Sequence, residues 1–99
     1  MSKSFKDIIS DSKPTLVDFF AEWCGPCKTL KLILEDVKTE IGSKASIIKV
    51  DVDKNPAAAQ KFQIRGVPTM IIFKNGKPVW RQSGALPKNE IVRILKSFS

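Results

Sequence analysis

Histidine and tyrosine are absent from this chain, and cysteine occurs only twice in its 99 residues. Each shortage removes a class of chemistry. Without His there is no Ser-His-Asp or Cys-His nucleophile pair and no imidazole ligand for a catalytic metal, and two cysteines alone cannot complete a four-ligand structural zinc site. No metal and no resident cofactor are expected. Long apolar runs are missing as well. The uncharged stretch from Pro68 to Phe73 is far short of the ~20 residues that span a bilayer, and the Lys-bearing start lacks the apolar centre of a signal peptide. These features predict a soluble, cytoplasmic protein with no membrane partner. Repeats, low-complexity tracts and linker-like stretches are missing too, so a single domain over residues 1–99 is expected.

What is present is 42% hydrophobic residues, which at this size can form one apolar core without disulfide staples. There is also a cationic surplus: 17 Lys+Arg against 10 Asp+Glu, a formal charge of +7. Such a surplus raises a nucleic-acid reading, because Lys and Arg release counterions from phosphate. Its distribution argues otherwise. The lysines are spread over every amphipathic segment as a solvated face, with no stripe of interleaved aromatics and no RNP, helix-turn-helix or finger pattern. No nucleic acid is expected as a partner, and the charge suits the steering of acidic proteins.

Short apolar runs alternate with amphipathic segments, the pattern of an α/β sheet domain. Ser4 to Ser10 places Phe5, Ile8 and Ile9 on one helical face. Thr15 to Ala21 is β-branched and aromatic, as in a central strand covered on both sides, with Asp18 an anomalous charge inside it. From Cys24 or Pro26 to Ile41, Leu30, Ile33, Leu34, Val37 and Ile41 recur at helical spacing, and Gly42 ends the run. Ala45 to Val52 reads as a second buried strand with the internal charge Lys49. Asn55-Pro56 starts a helix that ends near Phe62. Thr69 to Lys74 and Pro78 to Ser83 flank Asn75-Gly76, a pair suited to a two-residue hairpin turn. Pro87 to Phe98 closes the chain as an amphipathic helix carrying Ile91, Ile94, Leu95 and Phe98 on one stripe.

Trp23-Cys24-Gly25-Pro26-Cys27 follows a strand and opens a helix, the context in which C-x-x-C reads as a redox pair. Residues three apart at a helix start sit one turn apart, close enough to join as a disulfide. The helix N-terminus, with unpaired amides and a positive dipole end, favours a thiolate and lowers the thiol pKa of the first cysteine. Cys24 is therefore expected to be the nucleophile and Cys27 the resolver. Pro26 suits the first turn, and Gly25 lets a partner's backbone approach. A bare C-x-x-C is equally compatible with buried structural thiols or half of an intermolecular zinc site, but the strand before, the helix after and the whole pentapeptide favour redox chemistry.

WCGPC preceded by VDFFAE, then KVDVDKNP, IRGVPT, FKNGK and SGAL, resembles the thioredoxin family with nearly even spacing from Thr15 to the C-terminus. The resemblance implies a thioredoxin fold, in which a central mixed sheet is flanked by helices. It further implies a thiol-disulfide oxidoreductase that reduces protein disulfides and is recharged by an NADPH-dependent thioredoxin reductase. Disulfide-bearing substrate proteins and that reductase are the implied partners, and a monomer is expected. Asp18 and Lys49 match the family's buried acid and its Lys partner. Opposite charges in neighbouring strands should meet, because an unpaired charge in a central strand is costly. Asp18 is then expected to have a raised pKa from desolvation and to exchange a proton with Cys27. Pro68 stands where the family has a cis proline facing the cysteines, which would present the Val67 backbone to an extended substrate. Trp23, Gly66, Val67, Gly84 and Ala85 would complete an apolar patch around Cys24. An alternative for Gly84 is an ordinary strand bulge. Trp80 on the hairpin reads as packing.

The sequence departs from the family pattern at three places. Phe20 stands where the family usually has Trp, and Leu32 where the long helix often carries a kinking Pro, which predicts a straighter helix. Only Met1 to Lys3 precede the first helix, so four strands are expected, with the family's first edge strand missing or vestigial. An exposed edge needs protection by charge; Lys44 and Lys49 lie in the adjacent strand region, Lys49 being already committed to Asp18, and pairing of this edge with another chain is the alternative. The rival readings are an isomerase or oxidant on the same fold and a non-redox binding module. Gly25-Pro26 between the cysteines resembles the reducing members and lacks the His that isomerases carry there.

Overall fold

The computed structural model describes residues 4–99. Among the described residues four strands, β1 (Thr15–Phe20), β2 (Ser46–Asp51), β3 (Thr69–Lys74) and β4 (Lys77–Ser83), form one mixed sheet in the order β2-β1-β3-β4. Helix α1 (Phe5–Ile9) is capped by Ser4, whose hydroxyl oxygen accepts from the Asp7 amide at 3.2 Å. Strand β1 (Thr15–Phe20) lies at the centre, parallel to β2 (Ser46–Asp51) and antiparallel to β3 (Thr69–Lys74). Its residues from Thr15 to Phe19 are all buried, as a strand with neighbours on both edges and helices on both faces requires.

Alternation along β1 and β3 sends side chains to two cores. Leu16, Met70 and Ile72 face helices α2 (Gly25–Ile41) and α4 (Lys88–Ser97), meeting Leu30, Leu34, Val37, Ile41, Ile91 and Leu95. Val17, Phe19, Ile71 and Phe73 face α1 and α3 (Pro56–Lys61). There Phe5, Phe19, Phe62 and Phe73 pack ring against ring, with centroids 5.1 to 6.0 Å apart. Such pairs contribute about 0.5–1.5 kcal/mol each beyond the area they bury.

Strand β3 turns into β4 (Lys77–Ser83) through Asn75 and Gly76, both in the left-handed region at φ 54° and 81°. This is the primed two-residue turn that an Asn-Gly pair favours. Pro78 sits near a register shift on the outer strand, where its missing N–H costs no ladder bond. Trp80 is half-buried and packs against the α2/α4 core.

Helix α2 runs unbroken for 17 residues with the exposed Leu32 on its outer side, and Gly42 at φ 59° ends it before a short 3-10 turn, Gly42–Lys44. The expectation of a buried second strand needs correcting. In β2 only Val50 and Asp51 are buried; Ser46, Ile47 and Ile48 are half-buried and Lys49 is exposed. The reason is topological: β2 is an edge, paired only with β1 among the described residues. The expected fate of the family's first strand falls on Met1 to Lys3, which lie outside the described residues. Among the described residues, no helix is long and apolar enough to cross a membrane.

Candidate active site

Strand β1 delivers the chain to the top of the sheet, where the Cys24 amide donates to the Ala21 carbonyl at 3.1 Å and turns it into α2. Cys24 is the N-cap of that helix, in extended backbone, with Gly25 and Pro26 in the first turn. A cap normally presents an oxygen; here it is sulfur. The Cys27 amide donates to Cys24 Sγ at 3.1 Å. A negative charge on Cys24 would therefore meet both an N–H and the positive end of a four-turn dipole. Cys24 and Cys27 are joined as a disulfide, their Cα atoms 5.3 Å apart. Both are buried, with Ala21 and the half-buried Phe20, Val52 and Val67 around them. Phe20 thus fills part of the space beneath the disulfide with a ring that carries no polar handle.

The second wall comes from the loop before β3. The Val67–Pro68 bond is cis, and the Val67 carbonyl oxygen lies 3.6 Å from Cys24 Sγ. Two hydrogen bonds hold that loop: Thr69 Oγ1 donates to the Gly66 carbonyl at 2.7 Å, and the Gly84 amide donates to the Pro68 carbonyl at 2.8 Å. Gly84 adopts φ 86°, a conformation that explains glycine there without invoking a strand bulge. Gly25, Pro26, Gly66 and Ala85 are exposed, while Val67 and Gly84 are half-exposed. A methyl group at Gly25 or Gly66 would meet nothing within 4 Å, so both glycines stand open to an approaching chain. Trp23 is 73% exposed, and its indole N–H donates to Asp53 Oδ2 at 2.9 Å.

Asp53 is a residue that sequence reasoning missed. It lies in the loop after β2, 30 positions from Trp23, and no periodicity links the two. That loop is set by the buried Asp51, whose Oδ1 accepts from the amides of Asp53 at 2.9 Å and Lys54 at 3.3 Å.

Below the disulfide, Asp18 is 1% exposed and neither carboxyl oxygen has a hydrogen-bond partner among the described residues. Burial raises its pKa to about 6, while the positive charge of Lys49 pulls the other way. The two residues are register partners on adjacent strands. The expectation that they meet as an ion pair is nevertheless not met: among the described residues only Lys88–Glu40 and Arg93–Glu90 come within 4 Å. The flexible Lys49 stem keeps its ammonium in water, where desolvation costs nothing, and acts on Asp18 at longer range. Asp18, Phe20, Cys27 and Lys49 line one cleft of about 530 Å³. The carboxyl and the second cysteine therefore share an opening to solvent.

A cysteine pair that closes as a disulfide, one sulfur capping a helix and the other residue sharing a cleft with a raised-pKa carboxyl, is equipped for thiol–disulfide exchange. The family model described as Thioredoxin matches residues 1–97. The chain is 45% identical over 95 residues to chloroplastic thioredoxin Y of Oryza sativa, covering 95% of this chain and spanning 56% of that protein's length. It is 47% identical over 89 residues to thioredoxin of Mycobacterium tuberculosis, covering 90% of this chain and 77% of that one. A bifunctional thioredoxin reductase/thioredoxin of Mycobacterium leprae is 46% identical over 91 residues, with 92% of this chain and 20% of that protein covered. Among solved structures, a mutant thioredoxin from Halobacterium salinarum superimposes with a TM-score of 0.86 at 33% identity, over 99% of this chain and 85% of that one. Fold, disulfide and sequence match agree over nearly the whole length, and the chain belongs to the thioredoxin family.

Proposed function

We propose that this single domain is a protein disulfide reductase that donates two electrons from the reduced Cys24/Cys27 pair. The observation that carries this reading is the Cys27 amide on Cys24 Sγ at the start of α2, which favours Cys24 as the attacking thiolate. Cys24 Sγ attacks one sulfur of a substrate disulfide. The Cys24–substrate S–S bond forms, the substrate's own S–S bond breaks, and the departing substrate thiolate takes a proton from solvent. Cys27 then loses its proton to Asp18 through the shared cleft and attacks Cys24 Sγ. The Cys24–Cys27 bond forms, the Cys24–substrate S–S bond breaks, and the second substrate sulfur leaves as a thiolate that takes a proton from solvent, so the substrate is reduced and the protein oxidised. Lys49 keeps the Asp18 carboxyl from rising further in pKa, so that it can accept that proton near neutrality.

Around this centre Trp23, Gly25, Pro26, Gly66, Val67, Pro68, Gly84 and Ala85 supply the surface for an extended substrate strand. The exposure of Trp23 and the open space at Gly25 and Gly66 support that reading. An NADPH-dependent thioredoxin reductase would return the two electrons; the fused reductase and thioredoxin of the Mycobacterium leprae relative supports such a partnership. The chain would work as a monomer in a reducing compartment such as the cytoplasm.

Equilibration in graded dithiol/disulfide buffers, with alkylation and mass counting of the Cys24 and Cys27 thiols, tests the reading. A potential near about −270 mV, typical of thioredoxin, supports a reductant. A value at or above roughly −180 mV moves the protein to the isomerase or oxidant class, and failure to form the bond leaves a binding module.

A further inference from the structure

Strand β2 leaves one edge of the sheet uncovered among the described residues. The Ser46 amide donates to the Pro14 carbonyl at 3.0 Å and the Val52 amide to the Phe20 carbonyl at 2.9 Å. In a parallel ladder bonding alternates, so the even-numbered residues of β2 face β1 and the N–H and C=O of Ile47 and Lys49 point outward. Asp51 is already engaged, its carbonyl accepting from the Asn55 backbone at 2.9 Å and side chain at 3.0 Å. The free stretch is thus short and begins beside the 3-10 turn.

Charge around that stretch has one dominant sign. A groove of about 170 Å³ between the edge and α2 is lined by Lys31, Leu34, Glu35, Lys38, Ile47 and Lys49. Lys44 stands at the N-terminal end of the edge, and Lys13 Nζ donates to the Ser43 carbonyl at 3.4 Å in the same turn. Lys31, Lys38 and Lys49 therefore line the groove beside the outward backbone, with Lys13 and Lys44 at the turn that precedes it and Glu35 the one acid lining that groove. A second copy of this edge would bring lysines against lysines, which suppresses edge-to-edge self-association. The same field attracts a strand that carries acids.

We propose that the β2 edge is a docking site for an extended, acidic segment of a partner protein. The segment pairs with the outward groups of Ile47 and Lys49 and lays its acidic side chains beside Lys31, Lys38 and Lys44. The site lies away from Trp23 and Val67, although Lys31, Glu35 and Lys49 line both this groove and the cleft of Asp18 and Cys27, and it does not depend on the redox reading.

A capped peptide of alternating Val and Glu, about eight residues long and so roughly 27 Å extended, is the probe. It is titrated into the full chain while backbone amide resonances and amide exchange are followed. Expected are shifts and exchange protection at Ile47 and Lys49, binding that weakens with salt, and about tenfold weaker binding to Lys31→Glu/Lys38→Glu. The pair Lys61→Glu/Lys96→Glu, on α3 and α4, removes the same net charge elsewhere and leaves binding unchanged. Thermal unfolding of both double variants checks that they fold. The proposal is overturned by absence of binding, by perturbation centred on Trp23 and Val67, by equal binding of a Val/Lys peptide, or by equal weakening in both double variants. Concentration-dependent self-association that protects the same amides without peptide would assign the edge to a second copy and overturn it as well.

Discussion

The indole N–H of Trp23 donates to Asp53 Oδ2 across 2.9 Å, tying the residue before Cys24 to the loop that leaves β2. Trp23 is otherwise largely in water, so this bond fixes the orientation of a large apolar face that would else sample several rotamers. Asp53→Ala removes the acceptor from an exposed site. Stability should change by less than about 1 kcal/mol, because the freed indole is rehydrated. Reduction of a protein disulfide should show a raised KM, while reduction of a small aromatic disulfide, which does not use the Trp23 face, stays the same. Parallel kinetics on the two substrates check this, and an equal loss on both would show that Asp53 acts on Cys24 itself.

Asp18→Asn should stabilise the protein, and only above the acid range. The folded pKa of Asp18, about 6, lies above its unfolded value of 3.8. Between those values the native state binds more protons than the unfolded chain, so stability falls as pH rises through the window. A displacement of that size corresponds to about 3 kcal/mol, fully lost above the folded pKa. Urea unfolding of Asp18→Asn should therefore show a gain of this order at about pH 8 and almost none at about pH 4. The same substitution should slow exchange by removing the acceptor for the Cys27 proton. Rates that match the parent across neutral pH would remove Asp18 from the mechanism.

Cys27→Ser leaves the attacking sulfur without its resolver. Incubated with a disulfide-bearing protein, it should accumulate a mixed disulfide through Cys24, visible by mass and released by added dithiol. Cys24→Ser should accumulate none, since the helix amide that would steady a thiolate points at position 24. Equal trapping by both would reverse the roles.

Gly84→Ala and Gly66→Ala separate conformation from space. Neither position has an atom within 4 Å of an added methyl group, but Gly84 sits at φ 86° and Gly66 does not lie in the left-handed region. The first should cost about 1–2 kcal/mol and the second much less. Chemical denaturation of the two variants measures the difference.

Phe73→Ala opens the aromatic core between the sheet and the two short helices. Phe73 is fully buried and touches the Phe5 and Phe62 rings at centroid distances of 5.9 and 5.1 Å. A loss of about 3–5 kcal/mol is expected, a large part of the ~5–15 kcal/mol that holds a domain together. The unfolding midpoint in denaturant reports it.

Much of this molecule is local, and the local part is legible from the chain before it folds. Periodicity sets each helix and strand because burying an apolar stripe is the dominant favourable term, and that stripe is written residue by residue. Asn75-Gly76 specifies its own turn, because both positions require left-handed backbone. The redox pair is legible for the same reason: C-x-x-C at a helix start brings its sulfurs together within a single turn. Order among the strands, by contrast, decided the rest. An apolar run in β2 has the same composition whether it is central or an edge, and only the pairing of β1 with both β2 and β3 leaves Ile47 half-buried and Lys49 in water. Opposite charges at register partners suggested contact between Asp18 and Lys49; tertiary placement put one carboxyl in the core and let the lysine stem reach solvent, so they act through field and not through a bond. The Trp23–Asp53 hydrogen bond joins residues 30 positions apart, and the Gly84 amide, just past the end of β4, reaches the Pro68 carbonyl just before β3. Contacts of that kind have no period and no motif, because they exist only once the strands have been laid side by side.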